Sequence, residues 1–276
     1  SRKLKNDINI HAEMITKEMG KPIKESRAEI LKCVWVIEYY AENAGDFLKS
    51  KTIKSDYSES YVQYDPLGVI LGVMPWNFPY WQVFRFIAPS LMAGNTCVLK
   101  HASNVSGCAL LIEDLMHSCS EYKSIFKVLL ISSSQVEKVI KNPYVKAVTL
   151  TGSEYAGSEV AMRAGKEIKK TVLELGGSDC FIVLDDADIK LAAKTSILAR
   201  FLNSGQSCIA AKRFLVHENV YDEFISIVLK SIKALNVGNP MLEETDIGPL
   251  AKNNFITEID VLVQNSIKKG AKCLLG

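Results

Sequence analysis

Val69-Ile70-Leu71-Gly72-Val73 is a short apolar run rich in β-branched residues, set between Pro66 and Pro75. Four more runs of the same kind follow at Cys97–Leu99, Val128–Ile131, Ala147–Leu150 and Val172–Leu175. Between them lie stretches of helical period; Cys108, Leu111, Ile112 and Leu115, for example, fall on one helical face. Short β-rich runs alternating with helices indicate an α/β fold with a parallel sheet covered on both faces, since each parallel crossover brings a helix with it. Such sheets receive ligands at the carboxyl ends of their strands.

The flanks differ. Ile8, Ala12, Ile15 and Met19 define a helical face that Gly20-Lys21-Pro22 breaks, and Ile30, Val34, Ile37 and Ala41 resume it up to Gly45. Residues 50–64, rich in Thr, Ser, Tyr and Val, read as an extended excursion. Beyond the fifth run, Phe181-Ile182-Val183-Leu184 and Arg213–Val216 read as strands. Asp188 is placed to cap a helix from Ile189 to about Asn203, and Asn219 to cap one carrying Tyr221, Phe224, Ile225, Val228 and Ile232. A last helix carries Ile256, Ile259, Val263 and Ile267. The sequence stops just after Cys273-Leu274-Leu275, which resembles the start of a strand, so a fragment of a longer chain is expected.

The 276 residues are 48% hydrophobic and 23% charged, ordinary for a folded protein with a sizeable core. With 33 basic and 31 acidic side chains the net charge is +2, which offers no broad basic field for nucleic acid or anionic lipid. The apolar stretches are too short to span a bilayer, and no signal peptide is visible. Seven cysteines without a C-x-x-C pair, and four histidines without metal-ligand spacing, point to no metal site. Most of these cysteines sit in apolar runs and read as small core residues, in keeping with a reducing, cytoplasmic compartment.

Four local patterns could carry chemistry. Pro75-Trp76-Asn77-Phe78-Pro79 fixes a loop where a strand ends, and an Asn amide there suits an oxyanion; taken alone, the Asn is better explained by a rigid turn in which it satisfies the backbone. At Lys100 and Ser103 a strand ends in a cation and then a hydroxyl, suited to a nucleotide, or to a solvated Lys and a helix N-cap. Thr151-Gly152-Ser153-Glu154-Tyr155-Ala156-Gly157 joins a strand to a helix start, which attracts a pyrophosphate or is a plain capped turn. Last, Glu174 interrupts a strand-like run, and Cys208 follows a Gly-containing break after a helix. A carboxylate kept in apolar surroundings suits a general base, and an exposed thiol suits a nucleophile. A strand-end Glu reaching solvent and a buried Cys are the structural alternatives.

In order and spacing these segments resemble the aldehyde dehydrogenase superfamily: P-W-N-F-P, L-K-x-A at Leu99–Ala102, T-G-S-x-x-x-G, E-L-G-G at Glu174–Gly177, and G-Q-x-C at Gly205–Cys208. The resemblance covers essentially the whole chain. It implies a Rossmann-like parallel-sheet cofactor domain over residues 1–174, then the first part of an α/β catalytic domain over 175–276, incomplete at its C-terminal end. It makes Cys208 the nucleophile, Glu174 the general base, and Asn77 with the Cys208 backbone N–H the oxyanion donors. It implies NAD or NADP as cofactor, with Lys100 on the ribose, Gly152, Ser153 and Gly157 at the pyrophosphate, and Pro75, Trp76, Thr151 and Leu175 completing the site. Ser103 stands where NAD-specific relatives often carry Glu, so NADP is expected to be tolerated.

Arg85, eight residues after Asn77, matches an Arg that binds the distal carboxylate in succinate-semialdehyde dehydrogenases. Leu99–Ala102, Cys180–Leu184 and Ala211–Phe214 resemble the bacterial and archaeal branch of that group. The expected partner is a small aldehyde, succinic semialdehyde, oxidised to the acid, with another small aldehyde as the alternative. Two departures stand out. Ser132-Ser133-Ser134-Gln135-Val136 lacks the glycines many relatives use near the cofactor, and the E-x-F-G-P-V segment is absent. A non-catalytic nucleotide-binding remnant is thus a rival reading; a CoA-acylating relative is a third, opposed by Glu174. By resemblance, residues 48–66 pair subunits into a homodimer or homotetramer.

Overall fold

The computed structural model describes residues 1–276, which divide into two compact units: Ser1–Met14 with Arg27–Leu175, and Ile15–Ser26 with Gly176–Gly276. The chain opens with helices α1 (Arg2–Asn6), α2 (Ile8–Met19) and α3 (Ile23–Phe47), the last two separated at Gly20-Lys21-Pro22. The excursion is a short antiparallel ribbon of β1 (Lys51–Thr52) and β2 (Tyr61–Val62), exposed on both strands.

The first unit then alternates as expected: β3 (Val69–Met74), α4 (Trp81–Met92), β4 (Thr96–His101), α5 (Ser106–Ser118), β5 (Phe126–Val128), α6 (Val136–Ile140), β6 (Val145–Thr151), α7 (Glu154–Lys166) and β7 (Lys170–Glu174). The five strands form one parallel sheet in the order β5-β4-β3-β6-β7. The chain builds outward from β3 to β5 and then returns to its other side at β6, and such a reversal opens a crevice at the carboxyl ends of the strands. Leu71, Val148 and Leu150 pack with Val136, Ile140, Val160 and Ala164 in one core cluster, while α4 buries Val83, Phe84, Phe86 and Ile87.

The strand expected at Val128–Ile131 lies earlier. β5 begins at Phe126 and alternates buried Phe126, exposed Lys127 and buried Val128. At the sheet edge one face meets solvent, so a strand there need not be a continuous apolar run.

In the second unit β8 (Cys180–Val183) and β9 (Arg213–Val216) pair in parallel. With them go α8 (Ile189–Phe201), α9 (Glu218–Lys233) and α10 (Asn254–Lys268). Val183, Ile189, Ala193 and Phe224 form its core cluster. Asp188 caps α8 through a carboxylate that accepts from the Leu191 N–H at 3.0 Å. The cap of α9 is not Asn219: His217 holds the extended N-cap conformation, and its ring accepts from the Asn219 N–H. Residues 271–276 form no strand; a strand exists only where its backbone pairs with a neighbour. No helix is long and apolar enough to cross a membrane.

Candidate active site

The strand register sets four chain segments level at one end of the sheet. Val73 pairs with Lys100 on one side and Leu150 on the other, and Thr151 pairs with Glu174. The P-W-N-F-P loop, the turn after His101, the Thr151–Ser153 turn and the Leu175–Gly177 segment therefore all leave from the carboxyl ends.

Residues 75–79 run from β3 into α4, with Pro75, Trp76 and Asn77 half-buried. Buried polar groups hold the loop. Glu29, 5% exposed, accepts from the Tyr80 and Trp81 N–H groups at 2.8 and 2.9 Å, which satisfies donors at the start of α4 and sets a negative charge at its positive end. The His11 ring contacts the Tyr80 hydroxyl at 2.8 Å. The His101 ring lies 2.9 Å from the Pro79 carbonyl and 3.2 Å from that of Met74.

Lys100 lies on the alternate face of β4. It lines a cavity of about 430 Å³ with Ser133, Glu137, Tyr155, Glu159 and Arg163 among its neighbours. Arg163 bonds to both Glu137 and Glu159, and the Lys141 ammonium, followed by the Arg163 guanidinium, holds the Glu137 carboxyl below its usual range. Where glycines were missing, Ser132 and Gln135 form a capping box, so side chains satisfy the donors of that turn. Ser103 is exposed in a single 3₁₀ turn, Ser103–Val105, and does not cap it; Ala102 occupies that place.

Ser153 caps α7, its hydroxyl accepting from the Ala156 N–H at 3.2 Å. The Gly152 N–H is committed to the Glu174 carbonyl at 2.9 Å, tying the turn to the end of β7. Gly157 is buried beneath Leu175, and a Cβ at Gly157 would come within 2.5 Å of the Leu175 side chain.

Glu174 departs from the sequence expectation. The carboxylate is not enclosed by apolar groups but 54% exposed, 3.7 Å from the Arg85 guanidinium. It ends the edge strand β7 on the exposed face that Lys170 and Val172 share. Arg85, on α4, also donates to the Thr151 hydroxyl at 3.2 Å. The structure thus brings Arg85, Thr151 and Glu174 together.

In the second unit Cys208 follows a turn of unusual backbone. Asn203, Ser204 and Gly205 have φ of 57°, 52° and 76°. For the first two residues this is strained, and such strain persists only when the surroundings enforce it. Here Glu25 accepts from the Asn203 N–H at 2.7 Å, the Ser204 hydroxyl from the Gly248 N–H, and the Gln206 amide oxygen from the Ala251 N–H. Burial raises the Glu25 carboxyl above its usual range, opposed by the Asn203 bond and the Lys21 and Lys24 charges. Lys212 donates to the Cys208 carbonyl at 2.7 Å, fixing the backbone while the residue stays half-exposed.

The sequence matches the family described as aldehyde dehydrogenase over residues 1–276. The chain belongs to the aldehyde dehydrogenase family. Among curated relatives it is 49% identical over 265 residues to a probable succinate-semialdehyde dehydrogenase [NADP(+)] of a Synechocystis species, covering 96% of this chain and 58% of the relative. It is 50% identical over 268 residues to the succinate-semialdehyde dehydrogenase [NADP(+)] of Mycobacterium avium, covering 96% and 57%. The solved succinic semialdehyde dehydrogenase of Streptococcus pyogenes, in complex with NADP+, superposes with a TM-score of 0.97 at 39% identity, over 100% of this chain and 60% of that one. The chain therefore spans less than two thirds of the length of these relatives.

Within this aldehyde dehydrogenase chain, sequence reasoning missed Glu29, Glu25 and His101. His101 had a readable signal, since it continues the buried period of two through Cys97 and Leu99. The glutamates had none, because their partners lie 51 and 178 residues away. The cysteine expectation is also corrected: Cys33, Cys97 and Cys108 are buried, Cys208 is intermediate, and Cys119, Cys180 and Cys273 are exposed. Their apolar neighbours were not enough to bury them, as many of those neighbours, Ile182 and Ile209 among them, are themselves exposed.

Proposed function

We propose that this chain carries the nucleophile-bearing part of an NADP-using oxidation of succinic semialdehyde to the acid. The observation that carries the reading is 49–50% identity along 265–268 residues to proteins named for that activity. In the proposed chemistry the Cys208 thiolate adds to the aldehyde carbon, and the amide N–H of Asn77 and the backbone N–H of Cys208 take up the charge developing on oxygen. NADP+ held by residues such as Lys100 would supply the hydride acceptor, and loss of hydride from the adduct leaves Cys208 carrying a thioester. Glu174 then takes a proton from water as its oxygen adds to the same carbon, and the acid leaves with the thiolate regenerated.

The cavity beside Lys100 suits a nucleotide ribose: it is of ligand size, lies at the ends of β3, β4 and β6 beside Val73, Lys100 and Leu150, and sets Lys100, Ser133 and Tyr155 among apolar side chains. Ser103 puts no carboxylate against a 2′-phosphate, which supports NADP use. Arg85 already faces a carboxylate, that of Glu174, and a guanidinium so placed suits the distal carboxylate of the substrate. The exposed ribbon of β1 and β2, with Tyr57 and Tyr61 outward, supports pairing of subunits.

The test is made in the whole protein. Cys208→Ala is expected to abolish oxidation. Arg85→Ala is expected to lower kcat/KM for succinic semialdehyde by about tenfold or more, as befits loss of a charged hydrogen bond, and to spare a neutral aldehyde of similar length. Equal loss with both aldehydes would overturn the substrate assignment, and strict preference for NAD would overturn the cofactor assignment.

A further inference from the structure

The loop of Asn77 lies between β3 and α4 and belongs to neither. Residues 75–80 contain no regular hydrogen-bonded structure, and Pro75 and Pro79 remove two backbone donors. An oxyanion donor is effective only when aimed before the charge develops, so contacts that fix the ends of the loop bear on its aim.

His101 touches the loop at both ends. It is 6% exposed and continues the buried face of β4 after Cys97 and Leu99, where strand alternation would otherwise place an apolar side chain. An imidazole in that position is costly unless its nitrogens are bonded. Nε2 is 2.9 Å from the Pro79 carbonyl, which only accepts, so Nε2 carries a proton. Nδ1 is 2.9 Å from the Ala102 N–H and 3.2 Å from the Met74 carbonyl. In the neutral ring Nδ1 accepts from Ala102; in the charged ring it donates to Met74. The bond to Pro79 survives in both states, and Met74 and Pro79 bracket residues 75–78. The preceding residue, Lys100, points the other way into the cavity, so one strand end serves both sides of the sheet.

We propose that His101 is a positioning residue for Asn77, its ring fixing the ends of the 75–79 loop and thereby the direction of the Asn77 amide. The proposal rests on the reading of Asn77 as an oxyanion donor. Four variants of the whole enzyme test it: Asn77→Ala, His101→Phe, the double variant, and His101→Gln, whose amide can still donate to Pro79. The readouts are kcat and KM for aldehyde and for NADP+.

His101→Phe is expected to lower kcat about tenfold, a fraction of the hundredfold or greater cost of deleting an oxyanion donor, with KM for NADP+ changed less than about twofold. His101→Gln is expected to recover most of that loss. In the Asn77→Ala background His101→Phe should change kcat by less than about twofold, because a residue acting through Asn77 has nothing left to aim. An equal loss in both backgrounds, or no loss with either His101 variant, would overturn the proposal while leaving Asn77 its role. If Asn77→Ala alone left kcat unchanged, the oxyanion reading itself would fall, and His101 with it. Should His101→Phe fail to fold, His101→Ala, which removes the donor to Pro79 without adding bulk, takes its place in both Asn77 backgrounds: a loss relative to wild type that vanishes without Asn77 supports the proposal, and one that persists, or no loss at all, opposes it.

Discussion

At Cys97 burial pushes the thiol up to about 12, which keeps it neutral and inert, whereas Cys208 stands half-exposed on a turn held by other residues. The same residue type is therefore shut away at one position and within reach of solvent at the other. Iodoacetamide at pH 8 is expected to label Cys208 and the exposed Cys119, Cys180 and Cys273 in the native protein, and to spare Cys33, Cys97 and Cys108. Peptide mass spectrometry reads the pattern; early labelling of Cys97 would contradict the packing of β4. Glu174 shows the same dependence on position. Its neighbours in sequence, Leu173 and Leu175, suggest an apolar enclosure, yet the end of a strand opens onto solvent and the carboxylate meets Arg85.

Among the elements, caps and buried polar contacts decide where helices begin and what they hold. Asp188→Ala removes an acceptor from the Leu191 N–H and is expected to cost about 1 kcal/mol, read as a lowered urea midpoint. The contact between α2 and the residue after the P-W-N-F-P loop depends on pH. Burial lowers the pKa of His11 from its ordinary 6.5, opposed by Asp7 and assisted by Lys3. Between the lowered value and 6.5 the unfolded chain binds more protons than the folded one, so stability rises with pH there. His11 thus contributes stability in full above pH 6.5 and loses it as pH falls through the folded value. Urea unfolding at pH 7.5, 6.5 and 5.5 should show wild type losing stability on acidification more steeply than His11→Gln. Parallel slopes would mean that His11 is not held neutral.

For the molecule as a whole, each of the two units carries a core of its own. Phe224 is 1% exposed in the cluster with Val183, Ile189 and Ala193. Phe224→Ala is expected to cost about 3–5 kcal/mol, the transfer of the ring plus the cavity it leaves. Hydrogen exchange should show the loss in β8, β9, α8 and α9. Unchanged protection there would mean that the second unit does not rely on this core.

The α/β class, the order of the elements and the family were legible in the sequence, because strand alternation, helical period, caps and loop motifs are local properties of the chain. Asp188 as a cap and the Pro75–Pro79 loop as a strand-to-helix turn needed no partner to be recognised. The strand order β5-β4-β3-β6-β7 was decided only by the fold, as were the place of residues 15–26 in the second unit, the ion pair of Arg85 with Glu174 and the grip of Glu29 and His101 on the loop. Each of these joins residues far apart along the chain. A local pattern records how a residue meets its neighbours in sequence, whereas the charge or hydrogen bond that reaches it across the fold is set only when the chain has packed.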